Sequence, residues 1–443
     1  MTAEIAIMNK TAVALAADSA VTIGLTRSGR PANNKIFNTV NKLFALSKYQ
    51  PLGVMIYGSS ELNAVPWELL IKEYRRHLGR RSLPHVDDYV EAFVEFLRRG
   101  GYYLVSEENQ RLHLERLVRG HFRKIRDEIK SVVENHIKVN QSITDSEVAS
   151  VVRNALEAQA GSLEASDRLS SWTPEDELAL LRRHGARMLD VAKEELEQLP
   201  LDTACLDAMR RISTCVASRN HVVGTPSGVV VAGFGRNDSF PVLVELQIEM
   251  IVDSRLRYRA LKRQAIDPTH TAAAIIPFAQ SEMVTAFMEG IDPFYARMLQ
   301  GYLGALLKDF AQVVEDNALT LPEESREPLR RCLEGKGQAA IDNLKKHMQD
   351  FQWERLISPV MQIVQSLPKD ELASMAEALV NLTSFRRRVS TDAETVGGPV
   401  DVAIISKGDG FIWIRRKHYF DGATNPQFLA NYYREEQTTG GMA

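Results

Sequence analysis

Near the start of the chain, Ala12-Val13-Ala14-Leu15-Ala16-Ala17 is apolar at every position and ends in Asp18. A strand with one face in water alternates apolar and polar residues; a run with no polar residue predicts a strand covered on both faces. The polar step Asn9-Lys10-Thr11 separates it from an earlier apolar run, so the two segments read as a tight hairpin. With the turn centred on Lys10, antiparallel pairing sets Thr2 across from Asp18. That places a hydroxyl beside a carboxylate at the rim of a core. Removal of Met1, expected because threonine is small, would make that hydroxyl the chain's first side chain.

The rest of the chain supplies partners for such a hairpin. Strands are predicted at Lys42 to Leu46 and Gly53 to Tyr57, and Gly58-Ser59-Ser60 leads into a helix from Glu61 to Leu78. From Pro84 to Ala217 the pattern is almost pure helix. One long helix carries the stripe Leu114, Val118, Phe122, Ile125, Ile129 and Val132, with Arg111, Arg116, Arg119, Arg123, Lys124, Arg126 and Lys130 on its other faces. Thr173-Pro174-Glu175-Asp176 is a helix start, with a capping hydroxyl, proline in the first turn and acids beside the dipole. Asn140 to Asp145 and Gln159 to Ser171 read as connectors. Strands return between Gly228 and Phe278, a second helical block follows from Pro293 to Leu367, and a helix from Leu372 to Arg388 precedes the last strands. Those two, Val400 to Ser406 and Phe411 to Arg416, flank Asp409-Gly410, a hairpin signal.

The expected organisation is one α+β scaffold built from residues 1–83, 218–292 and 368–420. It is interrupted by helical insertions at 84–217 and 293–367. The net charge of −3 leaves no electrostatic footprint for nucleic acid. No apolar run reaches the ~20 residues needed to cross a bilayer, and the N-terminus lacks a signal-peptide pattern, so a cytoplasmic protein is expected. Cys205, Cys215 and Cys332 are scattered without metal-ligand spacing and are expected to be reduced.

The hairpin closing in Ala16-Ala17-Asp18-Ser19 resembles the start of a mature proteasome β-subunit, an N-terminal-nucleophile hydrolase. The resemblance continues in Asn41-Lys42-Leu43-Phe44-Ala45-Leu46 and in Gly53-Val54-Met55-Ile56-Tyr57-Gly58-Ser59-Ser60. It resumes in the segment from Asp392 through Thr395-Val396-Gly397-Gly398-Pro399 to Ile405. These blocks stand in the family's order and cover about half of the chain. The resemblance implies a four-layer αββα sandwich, two stacked antiparallel sheets between helix layers. It also implies peptide or protein substrates and a homo-oligomer, with no metal or organic cofactor.

A threonine hydroxyl is a weak nucleophile until a base takes its proton, and at a chain terminus its own α-amine can do so. By resemblance, Thr2 is the nucleophile, Lys42 the cation that tunes the amine and Asp18 the carboxylate that orients Lys42. The Gly58 N–H corresponds to the oxyanion donor, and Asp392 and Thr395 to the residues supporting the amine. Lys35 competes with Lys42, since its spacing from Asp18 is nearer the family's. One departure stands out: Pro277-Phe278-Ala279-Gln280-Ser281 replaces the small turn whose serine usually contacts the amine, which leaves Ser281 or a water for that contact. A threonine peptidase is the leading expectation. A small-substrate amidase and an inactive assembly or regulatory protein are the alternatives.

Overall fold

A computed structural model of the chain describes residues 3–23, 26–27, 30–31, 35–221, 224–317, 322–390, 397–422 and 424–433. Its centre is two five-stranded sheets. The first has the spatial order Ala273–Ala279, Ala3–Asn9, Ala12–Ala17, Asp401–Ser406, Gly410–Arg415. The second runs Arg255–Ala265, Val242–Val252, Ser227–Gly233, Leu52–Gly58, Leu43–Ala45. Every neighbouring pair in both is antiparallel. The opening hairpin therefore lies at the middle of its sheet, between strands from late in the chain.

Helices follow in the order α1 (Trp67–Leu78), α2 (Val86–Leu104), α3 (Glu107–Asn140), α4 (Asp145–Ala165), α5 (Pro174–Glu195) and α6 (Thr203–Ser218). Then come α7 (Glu282–Glu289), α8 (Pro293–Asn317), α9 (Glu323–Gln352), α10 (Ser358–Val364) and α11 (Lys369–Val389). Strand parity distributes the core. Ala3, Ile5 and Ile7 with Ala12, Ala14 and Ala16 pack against Leu372, Ala376 and Leu379 of α11. Ala6, Met8, Val13 and Leu15 point the other way and meet Leu43, Met55, Val230 and Leu243 of the second sheet. The outer face of that sheet, through Val54, Ile56 and Val229, packs on Trp67 and Tyr74 of α1 and Phe93 of α2. All six residues of Ala12–Ala17 are buried, which is why the segment tolerates no polar side chain. The architecture is α+β, with two antiparallel sheets facing each other and helices packed on their outer faces.

The hairpin register differs from the expected one. Asn9 Oδ1 accepts from the Thr11 amide at 2.9 Å, the Thr11 hydroxyl at 2.7 Å and the Ala12 amide at 3.3 Å. This side-chain turn closes a two-residue loop, Lys10-Thr11, instead of one centred on Lys10. Glu4 then pairs with Ala17 and Met8 with Val13, and the Asp18 N–H donates to the Ala3 carbonyl at 3.1 Å. Asp18 faces Ala3, not Thr2.

The helix expected from Glu61 starts at Trp67. Positive φ at Asn63 and Ala64 turns the chain into a small ribbon, and Pro66 keeps Val65 out of the helical region. The helical stretch read over 84–217 divides. α2 belongs to the layer on the second sheet, whereas α3 to α6 build a core of their own around Phe122, Leu156, Trp172 and Met209. In α3 the stripe from Leu114 to Ile129 is buried, but Val132 lies in solvent. The basic face of α3 is answered from within the chain, because Arg119, Arg123 and Arg126 converge on Glu195 of α5. α4 runs to Ala165 and absorbs the first part of the segment read as a connector. Among the described residues no helix is long and apolar enough to cross a membrane.

Candidate functional site

Asp18 is fully buried at the end of the Ala12–Ala17 strand, and four hydrogen bonds reach its carboxylate. Oδ1 accepts from the Ala3 amide at 3.1 Å and from Lys42 Nζ at 2.6 Å. Oδ2 accepts from the Ala20 amide at 3.2 Å and the Gly397 amide at 3.0 Å. A carboxylate has about four acceptor positions, so the hydrogen bonds to this one fill its capacity. Lys42 comes from the second sheet, just before Leu43–Ala45, and its carbonyl accepts from the Ile56 amide at 2.9 Å. The ion pair therefore ties the two sheets together at their shared end.

Gly397 belongs to the late block of the chain, nearly four hundred residues from Asp18 in sequence. Its carbonyl accepts from the Ser19 amide at 3.1 Å, and the Pro399 carbonyl accepts from the Ser19 hydroxyl. Gly398 holds a φ of +77°, and a Cβ there would stand 2.8 Å from the Asn38 carbonyl oxygen. Early and late motifs that the sequence separates widely are thus one local structure. Thr2, Asp392 and Thr395 lie outside the described residues. Lys35 is exposed on the short strand Lys35–Phe37, and the ion pair with Asp18 is made by Lys42.

Gly58 ends the Leu52–Gly58 strand, paired with Ser227, at a φ of +78°. A Cβ on it would come within 2.3 Å of the Pro226 carbonyl oxygen, so conformation and space both require glycine. Its neighbour Tyr57 stacks on Phe278 with ring centroids 5.9 Å apart, and its hydroxyl donates to Glu245. Burial, reinforced by that hydrogen bond, pushes the Tyr57 phenol far above its usual range. The Ala273–Ala279 strand runs on through Pro277 and Phe278. Its last residues pair with Ala3 and Glu4, and Ser281 is placed at the start of α7.

Compared with protein-family models and with curated proteins, the chain matches none. The chemistry of the site therefore rests on its own residues.

One of those residues was missed in the sequence. Glu4 is 2% exposed, pairs with Ala17 on one side and Phe278 on the other, and neither of its oxygens meets a hydrogen-bond partner among the described residues. Burial drives its carboxyl well above the usual range; the Asp18 charge adds to that and the Lys42 ammonium opposes it. The signal was a single charge in the otherwise apolar Ala3–Met8 run. No group of three or more His, Cys, Asp or Glu side chains among the described residues is arranged to hold a metal ion. What the site offers is a buried cation–anion pair bound to the amide of Ala3, with the buried acid Glu4 next to it in sequence; the glycine amide stands at the end of the Leu52–Gly58 strand.

Proposed function

We propose that the chain is an amide hydrolase of the N-terminal-nucleophile type, acting on peptides or proteins as a proteasome-like threonine peptidase. The observation that carries this reading is the buried Lys42–Asp18 pair, hydrogen-bonded to the amide of the residue that follows Thr2. The facing antiparallel sheets with helices on their outer sides fit the αββα sandwich expected of that class.

Once Met1 is gone, the Thr2 amine takes the proton of the Thr2 hydroxyl as its oxygen attacks the substrate carbonyl. The Gly58 N–H donates to the oxyanion. The amine then returns the proton to the leaving nitrogen, and the C–N bond breaks to leave an ester on Thr2. Water, deprotonated by the same amine, hydrolyses that ester. Lys42 favours the neutral amine at working pH, because a nearby cation disfavours a second positive charge. Asp18 holds the Lys42 side chain in place.

The test is covalent. Protein from its native host, treated with a β-lactone or epoxyketone, should lack Met1 by intact mass and carry one adduct on Thr2. Thr2→Ala should carry none. Retained Met1 with no adduct would overturn the hydrolase reading and favour an assembly role for the scaffold.

We further propose that the chain works as a homo-oligomer. The support is the outward face of α8, where Phe294, Met298, Tyr302, Leu306 and Phe310 recur every four residues and are all about half exposed or more. Tyr295 and Val313 widen the stripe. At ~150–250 Å² per aromatic side chain, several hundred Å² of apolar surface stay uncovered. That approaches the ~800 Å² per partner of a standard interface.

A further inference from the structure

A cavity of about 640 Å³ lies where α2 runs beside the Arg255–Ala265 strand, at the opposite edge of the second sheet from Lys42. Small-molecule sites occupy roughly 300–1,000 Å³, so the space is of ligand size. Val90 and Val94 of α2 line one side, and Val244, Leu246 and Ala260 of the sheet line the other. Both sides are aliphatic, and the polar groups stand at the ends. At one end Arg98 gives Nη1–H to Glu95 at 3.2 Å, while its Nε–H, sealed from solvent, finds no acceptor among the described residues. Arg99 shares the same Glu95 carboxylate, so two guanidiniums stand against one acid and this end keeps a surplus positive charge. At the other end Asp87 and Arg263 close on each other, Nε to Oδ1 at 2.9 Å and Nη2 to Oδ2 at 2.8 Å. Glu91 and Lys262, from the helix and the strand, offset each other between the two ends.

We propose that this groove binds an aliphatic carboxylic acid, its carboxylate on Arg98 and its chain laid along Val94 and Val90 toward the Asp87–Arg263 pair. The proposal is independent of the hydrolase reading. A carboxylate supplies the acceptor that Arg98 Nε lacks, in a charge-assisted hydrogen bond, and neutralises the surplus charge at that end. From Asp87 to Arg98 the helix rises about 16 Å. With C–C bonds of ~1.5 Å, a zigzag chain of about twelve carbons covers that span. The strand edge itself argues against an added peptide strand. Glu245 pairs with Lys262 and Leu246 with Ala260, so Leu261 is an extra, bulged residue that breaks the ladder. Lys262 and Arg263 beside it put charge on the edge, and a bulge with flanking cations is how proteins refuse strand addition. The bulge instead brings Leu261, half exposed, to the groove as a further aliphatic contact.

The experiment is isothermal titration calorimetry of the full-length protein with octanoate, decanoate and dodecanoate, each below its micelle concentration. A buried CH₂ tightens binding roughly fourfold, so each two-carbon step should tighten it about fifteenfold. Decanol has the chain of decanoate without the charge and should bind about tenfold more weakly, or worse. Arg98→Met should bring decanoate down to the level of decanol and keep the dependence on chain length. Leu261→Glu changes a half-exposed residue, so it should melt where wild type melts, yet it should weaken all three acids by setting a carboxylate against the chain. Absence of saturable binding, equal affinity for decanoate and decanol in wild type, or decanoate affinity unchanged in both variants overturns the proposal. Binding of an extended valine-rich peptide, blocked by Leu261→Glu, in place of the acids would assign the edge to strand addition and overturn it as well.

Discussion

Lys42 Nζ lies 2.6 Å from Asp18 Oδ1, and both side chains are sealed from solvent. The pair joins the end of one sheet to the start of the other, so it is structural whatever chemistry it serves. The partners are not equivalent. Asp18→Asn leaves a buried ammonium with no counter-charge, and breaking a buried pair this way costs about 3–5 kcal/mol. Lys42→Met keeps the bulk and leaves Asp18 with its three backbone N–H donors, so its cost is on the order of 1–3 kcal/mol. Lys35→Ala, on an exposed strand, should stay within about 0.5 kcal/mol of wild type. Denaturant titration of the three variants ranks them; a Lys35 effect as large as that of Lys42 would contradict the pairing.

Gly58→Ala should be destabilising by about 1–3 kcal/mol, because a left-handed conformation and the nearby Pro226 oxygen both resist a Cβ. Gly408→Ala, where a Cβ would meet nothing within 4 Å and the backbone is ordinary, is the matched control. Thermal melts of the two decide it. Equal melting temperatures would mean that the strand end relaxes freely. Should Gly58→Ala also slow β-lactone labelling beyond what its folded fraction explains, the amide has a role besides fit.

The hairpin was legible because its signal is local. Six apolar residues with no alternation dictate burial on both faces, and Ala12–Ala17 has it. The register was not legible, since it was set by one side chain, Asn9, whose oxygen collects three donors and shifts the pairing by one residue. The meeting of Asp18 with Gly397 could be expected only from resemblance, because no local pattern pairs residues so far apart. Lys42 was separated from Lys35 by the fold alone. Glu4 was overlooked for a physical reason: a carboxyl inside an apolar run reads as a solvent-side residue until the sheet closes on both sides of it.

Stability should depend on pH through two histidines that are not among the site residues. His121 of α3 and His221 face each other with ring centroids 6.1 Å apart, and burial first, then neighbouring cations, lowers both to about 4. A lowered folded-state value means the unfolded chain binds more protons between about 4 and the ordinary ~6.5. The stability these neutral rings allow is therefore present above pH ~6.5 and is lost as pH falls through about 4. Glu4 acts with the opposite sign. Its raised value makes the folded chain the better proton binder, so its contribution is full below the ordinary carboxyl range and declines as pH rises through the folded value. Denaturation from pH 4 to 7 should show a shallower rise for His121→Phe/His221→Phe than for wild type. Glu4→Gln should gain on wild type toward alkaline pH. Curves parallel to wild type would mean that these groups titrate alike in both states.

The stripe on α8 gives the last prediction. Its residues step by four along a helix whose other side packs on α9 through Leu307, Ala311 and Ile341. The outer residues therefore contribute little to holding the helix down. Tyr302 is 66% exposed and Leu306 49%, both near the middle of the stripe. Introducing charge there, as Tyr302→Glu with Leu306→Glu, removes little folded-state packing, and such surface changes usually fall within about 0.5 kcal/mol each. The same charges would be intolerable at the centre of an apolar interface, where an unpaired buried charge costs several kcal/mol. The double variant should thus melt where wild type melts but fall to a smaller particle by mass photometry. A shift in melting temperature with unchanged particle mass would place the stripe in service of the fold. An unchanged mass with an unchanged melting temperature would remove α8 from the oligomer contact.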